Sequence, residues 1–290
     1  MAWCGTWKTL GVVVLGALVS LPLWAQDQDR YSLATWAQDV RATPWTSGGA
    51  FAGITALGLS SWDWGNKPTF SSNPEGWFGK TTGSGGADKL DHSFTSYTLT
   101  NVLADQLVRS GRSRERAALS AALTAQALML YSEMFDGFSG DHGFAREDVV
   151  MNLLGSSFAY ARTVSPWLHG WVDFRLEYKP SGFRGVRPLS DRAGKKYLLA
   201  FKLAGSEALR DTPLRFVELQ AGYFTRGFSR AERADGIVRS RNTFVGVGLN
   251  LTELLFGRRT APEPDLTNAG RLFFEHVQVP YTAVRSAHSF

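Results

Sequence analysis

The stretch GGADKLDHSF, residues 85–94, brings two acidic side chains and a histidine together after a pair of glycines. Asp88 and His92 are four residues apart, so on a helix they share one face, whereas Asp91 lies off that face. This spacing suits joint binding of a metal ion or phosphate, or a carboxylate that orients an imidazole. The alternative is structural, because Asp88 can cap the helix and favour its positive end while His92 packs beside it.

A second group of ionisable residues lies in SEMFDGFSGDHGFAREDVVMNLLG, residues 132–155. Glu133 comes near the end of an apolar helical pattern, where a buried carboxylate needs a partner. Arg146, Asp148 and Asn152 begin the next helix, and the last two are again four residues apart. The intervening loop lacks the alternating oxygen ligands and the terminal glutamate of an EF-hand. The structural alternative is a helix–loop–helix corner in which Arg146 pairs with Glu133 or Asp148.

The elements that must position these residues are three helices, predicted at about 88–109, 113–135 and 146–162. After Pro166 the period changes to that of strands, since residues 171–179 alternate strictly between apolar and charged side chains. That alternation predicts a half-buried antiparallel strand. Further strands are predicted at 196–205, 214–228 and 241–256, with a possible fifth at 271–281.

The predicted fold class is α+β: a bundle of about three to four helices, followed by an antiparallel sheet of about five strands. The predicted segments are a signal peptide (1–25), a polar and aromatic region with one short helix at 48–65 (26–86), a helical domain (87–166) and an antiparallel β region (167–290).

The order of the polar residues resembles that of the VanZ-like and YfiM-like envelope families, and is closer to the YfiM-like group. The residues that carry the resemblance are Asp88, Lys89, His92, Glu133, Arg146, Asp148, Asn152 and Gly155. It covers about residues 85–165 and implies a predicted periplasmic lipoprotein of unknown activity. VanZ-like proteins are integral to the membrane, but the helices here carry polar residues such as Asp105 and Gln126 and would span poorly. Membrane attachment is therefore not implied.

The N-terminal residues have the features of a secretory signal. Lys8 precedes an apolar run from Leu10 to Leu23, and Ala25 is a small residue suited to cleavage. The run has about 14 residues and a membrane span needs about 20, which favours a cleaved signal over a retained anchor. Cys4, the single cysteine, precedes the run and cannot serve as a lipoprotein cysteine. The expected location is the periplasm or the outer membrane.

The net charge and the positions of the tryptophans indicate which kind of partner the protein binds. The 290-residue chain has a formal net charge of +5, and its basic residues are scattered apart from the run at 109–116. Such an excess suits the anionic surface of a membrane, and no nucleic-acid-binding motif accompanies it, so nucleic acid is not an expected partner. Trp62, Trp64 and Trp77 flank a glycine-rich loop, which fits either a membrane–water interface or ordinary packing.

The sequence favours a non-catalytic, exported envelope protein, peripheral to a membrane or associated with the outer membrane, in which an Asp/His/Glu/Asn centre joins three helices. The alternative is a metal-dependent hydrolase or transferase acting on a lipid or cell-wall phosphate. Its candidate catalytic residues are Asp88, His92, Glu133 and Asp148; its candidate metal ligands are Asp88, His92 and Glu133; and its candidate binding residues are Lys89, Arg146 and Asn152. A third possibility is a lipid-binding module with a pocket between the sheet and the helices. No particular cofactor is predicted.

Overall fold

The computed structural model describes residues 31–182, 185–259 and 263–290. The chain divides into two units, 1–36 and 37–290, and the second contains the helical bundle, the sheet and every candidate site residue. The predicted signal peptide and Cys4 lie outside the described residues. Within the described ranges, no helix combines the length and the apolar character that a membrane crossing requires.

Two helices precede the bundle, where the sequence predicted one short helix at 48–65. Helix α1 comprises Leu33–Ala42 and α2 comprises Pro44–Ser61. Pro44 is the first helical residue of α2, a position where its fixed φ is compatible with a helix and its missing N–H is not needed. The helix therefore begins earlier than its apolar pattern indicates.

The three predicted bundle helices are confirmed to within two residues at each end. They are α3 (Ala87–Arg109), α4 (Arg114–Asp136) and α5 (Arg146–Val164). Ser113 caps α4 by accepting a hydrogen bond from the backbone N–H of Arg116. The fully buried small side chains of Ala117 and Ala121 let the helices approach closely. Asp39 of α1 is buried against α4, where it accepts hydrogen bonds from Arg116 and Ser120.

The strands form one six-stranded sheet in the order β5-β1-β2-β3-β4-β6, which confirms the α+β class. All neighbouring strands are antiparallel except β1 and β5, which are parallel. The strands are β1 (Val172–Tyr178), β2 (Lys195–Lys202), β3 (Val217–Arg226), β4 (Ser240–Leu249), β5 (Val277–Gln278) and β6 (Ala283–Ser289). A short helix, α6 (Pro166–Trp171), precedes β1, and two more, α7 (Arg230–Ala234) and α8 (Leu251–Phe256), lie between later strands.

The predicted fifth strand at 271–281 is mostly wrong. Helix α9 covers Asp265–His276, and only Val277 and Gln278 are in strand β5. Instead, the last strand is β6, in a segment whose weak alternation did not predict one. The predicted strand at 241–256 is also shortened, because its final residues form α8, which Asn250 caps through the N–H of Glu253.

The two faces of the sheet reverse the usual arrangement. The charged side chains of β1 point to a buried face, where Asp173, Arg175 and Glu177 are at most 4% exposed. On the apolar face, Phe174 and Tyr197 pack against α3 and α5 in one core cluster. Farther from the helices, much of the apolar face is exposed in the described chain. We define it as the exposed apolar face, which comprises Leu199, Phe201, Leu219, Val245, Val247, Leu249 and Val284.

Candidate functional site

One end of the helical bundle collects most of the ionisable residues that the sequence singled out. The first turns of α3 contribute Asp88, Lys89 and His92, and the last turn of α4 contributes Glu133. The first turns of α5 contribute Asp148 and Asn152. Because α3 and α5 both begin here and α4 ends here, three helix termini meet. We call this set of six residues the polar centre.

Lys89 lies in the middle of the polar centre. Its Nζ atom is 2.7 Å from Asp148 Oδ1, 3.2 Å from Asp88 Oδ2 and 2.6 Å from Glu75 Oε2, and its side chain is 2% exposed. Burial lowers the pKa of Lys89, but the charges of Asp88 and Asp148 outweigh burial and raise the pKa above its ordinary value. Lys89 is therefore a buried ammonium that neutralises carboxylates from a loop and from two helices.

His92 lies between two carboxylates. Its Nδ1 atom is 3.2 Å from Glu133 Oε1, and its Nε2 atom is 3.8 Å from Asp148 Oδ2. Burial lowers the pKa of His92, and the nearby carboxylates, Asp148 first, outweigh burial and raise the pKa above its ordinary value. Burial raises the pKa of Glu133 to about 8, although the charge of His92 opposes this shift. The two side chains therefore form a buried acid–base pair in which the pKa of each is raised above its ordinary value.

The two aspartates differ in their environment. Burial acts to raise the pKa of both carboxyls. At Asp88 the charges of Arg192, His92 and Lys89 outweigh burial, and the net result is a pKa below the ordinary value. At Asp148 burial prevails over the charges of His92 and Lys89, and the pKa is raised. Asp88 is thus the carboxylate that keeps its charge most firmly.

Asn152 and Gly155 fix the contact between α3 and α5. Asn152 is fully buried, and its Oδ1 atom accepts a hydrogen bond of 2.9 Å from Ser96 Oγ. A Cβ atom at Gly155 would overlap the backbone oxygen of Ser93, so the helices approach at a distance that only glycine permits. The motif residues Asn152 and Gly155 therefore position the polar centre by helix packing.

Arg146 is not part of the polar centre. Its side chain is 67% exposed, and the ion pair that the described chain offers it is with Glu147, at 3.6 Å. The predicted ion pair of Arg146 with Glu133 or Asp148 is therefore wrong. Arg146 is at the first position of α5, and its side chain is left accessible to a ligand or to solvent.

Sequence reasoning missed two contacts of the polar centre and one contact beside it. Glu75 bonds Lys89 from a loop that has no periodicity, and burial, with the charge of Asp88, raises the pKa of Glu75 to about 6. Arg192 bonds Asp88 from a position 104 residues away in the sequence. Asp136 accepts a hydrogen bond of 2.6 Å from the indole of Trp64. None of these pairings had a local signal, because the paired residues are 14, 104 and 72 positions apart.

The donor set can hold a divalent cation. Asp88, His92 and Asp148 each offer one ligand atom, and these atoms lie within 4.8 Å of one another. Carboxylate oxygens and an imidazole nitrogen suit zinc, manganese or iron. Glu133 lies on the other ring nitrogen of His92, at the place where a carboxylate commonly orients a metal-binding imidazole. A metal ion would have to compete with Lys89 for Asp88 and Asp148, because the Lys89 ammonium already neutralises both carboxylates.

Comparison with known proteins finds one family model that matches part of the chain. Residues 74–164 match the model of the family described as a predicted periplasmic lipoprotein, DUF2279. No curated protein and no solved structure matches the chain.

The matched segment contains the whole polar centre, together with Glu75. It also contains all of α3, α4 and α5, and it ends where α5 ends. Arg192 and the sheet lie outside it. The match covers less than half of the chain and supports a location in the periplasm or the cell envelope.

Proposed function

We propose that this chain is an exported, non-catalytic cell-envelope protein that binds the surface of a membrane through the exposed apolar face of its sheet. In this function the polar centre joins α3, α4 and α5 and gives the sheet a rigid support. The envelope location rests on the periplasmic family match, and the YfiM-like resemblance of the motif residues agrees with it.

The observation that carries the proposal is a row of apolar side chains in register across four strands. Phe201, Leu219, Val247 and Val284 are paired in sequence across β2, β3, β4 and β6. They are 36%, 48%, 53% and 83% exposed. Apolar surface of this extent is uncommon on a soluble monomer and marks an interaction surface.

The surroundings of this face favour a lipid surface over a second protein. At the end of β4, helix α8 adds the exposed side chains of Leu254 and Leu255. Arg258 lies two residues beyond the end of α8 and is exposed. Apolar side chains next to a basic residue, on a chain of net charge +5, are complementary to anionic headgroups above an acyl layer.

Sedimentation with vesicles tests this proposal. The purified mature chain is mixed with vesicles that contain an anionic phospholipid, and the bound fraction is measured after centrifugation. We expect binding by the wild type and a loss of about tenfold in Val247→Lys, since burying one valine contributes about 1.5 to 3 kcal/mol.

Val238→Lys is the matched control. Val238 is 81% exposed but precedes β4 and lies outside the exposed apolar face, so this variant adds the same charge elsewhere. We expect it to bind as the wild type does. Wild-type protein that stays in the supernatant would contradict the proposal. The proposal would also be contradicted by a dimer in gel filtration that dissociates in Val247→Lys but not in Val238→Lys. In that case the exposed apolar face would bind a second copy of the chain.

The second candidate function is a metal-dependent hydrolase or transferase acting on a lipid or cell-wall phosphate. It is favoured by the three ligand atoms of Asp88, His92 and Asp148 within 4.8 Å. When bound, the metal would polarise a phosphoryl oxygen or activate a water molecule. Glu133 would orient His92, and the accessible Arg146 would attract the phosphate. Lys89 is already saturated by carboxylates, which removes it as a phosphate contact.

Calorimetric titration of chelator-treated protein with Zn²⁺ and Mn²⁺ tests this candidate. Stoichiometric binding that His92→Ala removes would support it. His142→Ala is the matched control, because His142 lies in the loop before α5 and is not in the ligand group. A titration without binding heat, or one that His92→Ala leaves unchanged, would reject the metal-dependent function.

A further inference from the structure

Basic side chains collect at the end of the sheet that lies beside the polar centre, where Arg192 bonds Asp88. Three segments meet there and line one small pocket: the turn before α3, the described part of the connection from β1 to β2, and the connection from β3 to β4. We define the basic end as six side chains from these segments and the start of β4: Lys80, Arg187, Arg230, Arg233, Arg239 and Arg241.

Contacts between the segments hold these residues in one region. The guanidinium of Arg239 donates a hydrogen bond of 3.2 Å to the backbone oxygen of Lys80 and lies 5.3 Å from the centre of the Phe228 ring, which lines the pocket. The backbone oxygen of Arg187 accepts a hydrogen bond from the N–H of Asp191, which also lines the pocket. Helix α7 contributes Arg230 and Arg233 to the same region. Basic residues that are scattered between positions 80 and 241 of the sequence are therefore neighbours in the fold.

The cations of the basic end have no acidic partners. None of the six forms an ion pair within the described ranges, and the side chains of Arg233, Arg239 and Arg241 donate to backbone oxygens instead. The acids nearby do not compensate, because Asp191 and Glu232 are each only 2% exposed. Asp235 is exposed between β3 and β4, but it is a single charge. The basic end therefore presents a net positive surface to its surroundings.

The opposite end of the strands is different. There Arg210 lies 2.8 Å from Glu207, and Arg215 lies 3.9 Å from Glu253. Arg258 is unpaired at that end within the described part of the chain. Unpaired positive charge is thus concentrated at the basic end, and its natural partner is an anion with several charges.

The position of the basic end indicates which anion it meets. Side chains alternate along a strand, so Arg241 lies on the same face of β4 as Val245 and Val247, which belong to the exposed apolar face. Guanidinium groups match phosphate oxygens in geometry as well as in charge. We propose that the basic end binds the phosphate groups of anionic lipid headgroups while the exposed apolar face contacts the acyl layer beneath them. This inference rests on the proposed membrane binding and adds the headgroup chemistry and the residues that select it.

Vesicles of two compositions test the headgroup preference. The full mature chain is sedimented with vesicles of phosphatidylcholine alone, or of phosphatidylcholine with about one third phosphatidylglycerol, whose headgroup has a net negative charge. We expect partition onto the anionic vesicles to be at least about tenfold stronger. Most of this difference should be lost between about 50 mM and about 300 mM NaCl, because salt screens exposed charges.

The double variant Arg187→Gln/Arg230→Gln tests the basic end itself. Both residues are exposed, and neither side chain has a hydrogen bond or ion pair that folding would need. We expect partition onto anionic vesicles to fall about thirtyfold, since each basic residue near an anionic surface contributes about 1 kcal/mol. Thermal unfolding verifies that the variant is folded.

Arg41→Gln/Arg114→Gln is the matched control, because it removes two exposed charges elsewhere. Arg114 begins α4, whose last turn reaches the polar centre, so it lies at the far end of the bundle. Arg41 belongs to α1, which packs against the start of α4 through Asp39 and Arg116. This variant should bind as the wild type does.

Three results would overturn the inference: equal partition onto the two kinds of vesicle at low salt, a loss in the basic-end variant no greater than in its control, or release of the protein from the anionic vesicles by a short DNA duplex at equal phosphate concentration. The last result would assign the basic end to a soluble polyanion. Wild-type protein that binds neither vesicle would overturn the proposed function as well. Binding that Val247→Lys leaves unchanged and the basic-end variant loses would reject the apolar face alone and support the basic end.

Discussion

The Nζ atom of Lys89 lies 2.7 Å from Oδ1 of Asp148, and both side chains are at most 5% exposed. Removing this ammonium would leave the buried carboxylates of Asp88 and Asp148, and the half-buried carboxylate of Glu75, without their shared cation. We expect Lys89→Met to lower the free energy of unfolding by about 3 to 5 kcal/mol, the cost of breaking a buried ion pair from one side. Urea denaturation followed by circular dichroism measures the change.

Arg146→Met is the control for Lys89→Met, because it removes a basic side chain from the same end of the bundle at a position that is 67% exposed. Its expected effect is within about 0.5 kcal/mol. Equal losses in the two variants would show that Lys89 does not hold the centre together.

Stability should fall as the pH rises through neutrality. The pKa of Glu133 is raised from 4.5 to about 8 by burial, so the folded state binds more protons than the unfolded state between these values. The free energy of unfolding then decreases with pH by at most about 1.4 kcal/mol per unit for this group. The raised pKa of His92 acts in the same direction, and its contribution is lost above the folded pKa. Urea midpoints of chelator-treated protein between pH 5 and pH 8 measure the slope.

Glu133→Gln isolates the contribution of Glu133 to this slope. The variant has no proton to lose at this position, so its stability should depend less steeply on pH than that of the wild type. Parallel pH profiles for the two proteins would contradict the raised pKa. Asp88 has a lowered pKa and affects stability only at more acidic pH, outside the measured window.

Gly155 should not tolerate even one extra carbon atom. A Cβ there would overlap the backbone of Ser93, which cannot move away as the end of a flexible side chain can. We expect Gly155→Ala to destabilise the protein by about 1 to 3 kcal/mol. Gly53→Ala is the matched helical control, because its Cβ would meet nothing within 4 Å. That variant should be more stable than the wild type by about 0.5 to 1 kcal/mol, and thermal unfolding compares the two.

On the buried face of the sheet, Asp173 is the acid on which three bases depend. Its carboxylate oxygens are 2.6 Å from Arg162, 2.6 Å from Arg175 and 2.7 Å from Lys202. Asp173→Asn removes the carboxylate that these three cations share, with an expected loss of about 3 to 5 kcal/mol, although Arg175 keeps Glu218 at 2.9 Å and Arg162 keeps Glu275 at 3.8 Å. Arg162→Met should cost less, because Asp173 keeps its other two partners. The reverse order in urea denaturation would contradict this arrangement.

The helical half of the fold was readable from the sequence because its signals are local. The alanines of α4 and the four-residue spacing from Asp88 to His92 depend only on neighbours along one helix. The strand prediction at 271–281 failed because α9 turns polar residues inward: Asn268, Arg271 and Glu275 are all buried, at helical spacing. A pattern that expects apolar residues inside assigns this segment wrongly.

The polar centre was only partly predictable for a similar reason. The proposed centre required Asp88, His92, Glu133 and Asp148 to converge, an expectation that rested on the resemblance of their order to a known family, and the fold places them together. The inward position of Lys89 and the exposed position of Arg146 were not predictable, since both are basic residues near a helix start. Which of them faces the carboxylates depends on the angle at which α3 and α5 pack.

The polar centre and the sheet also differ in the sequence separation of the residues that they bring into contact. The polar centre, with Glu75, draws its residues from 75–152, while the pairing of β1 with β5 joins Leu176 to Val277. Loop closure costs more, and proceeds more slowly, when the joined residues are far apart in sequence. A chain emerging unfolded into the envelope would therefore assemble its helical part first. The pairing of β1 with β5 would close last, because β5 comes from near the end of the chain and must reach back past the hairpins formed by β2, β3 and β4.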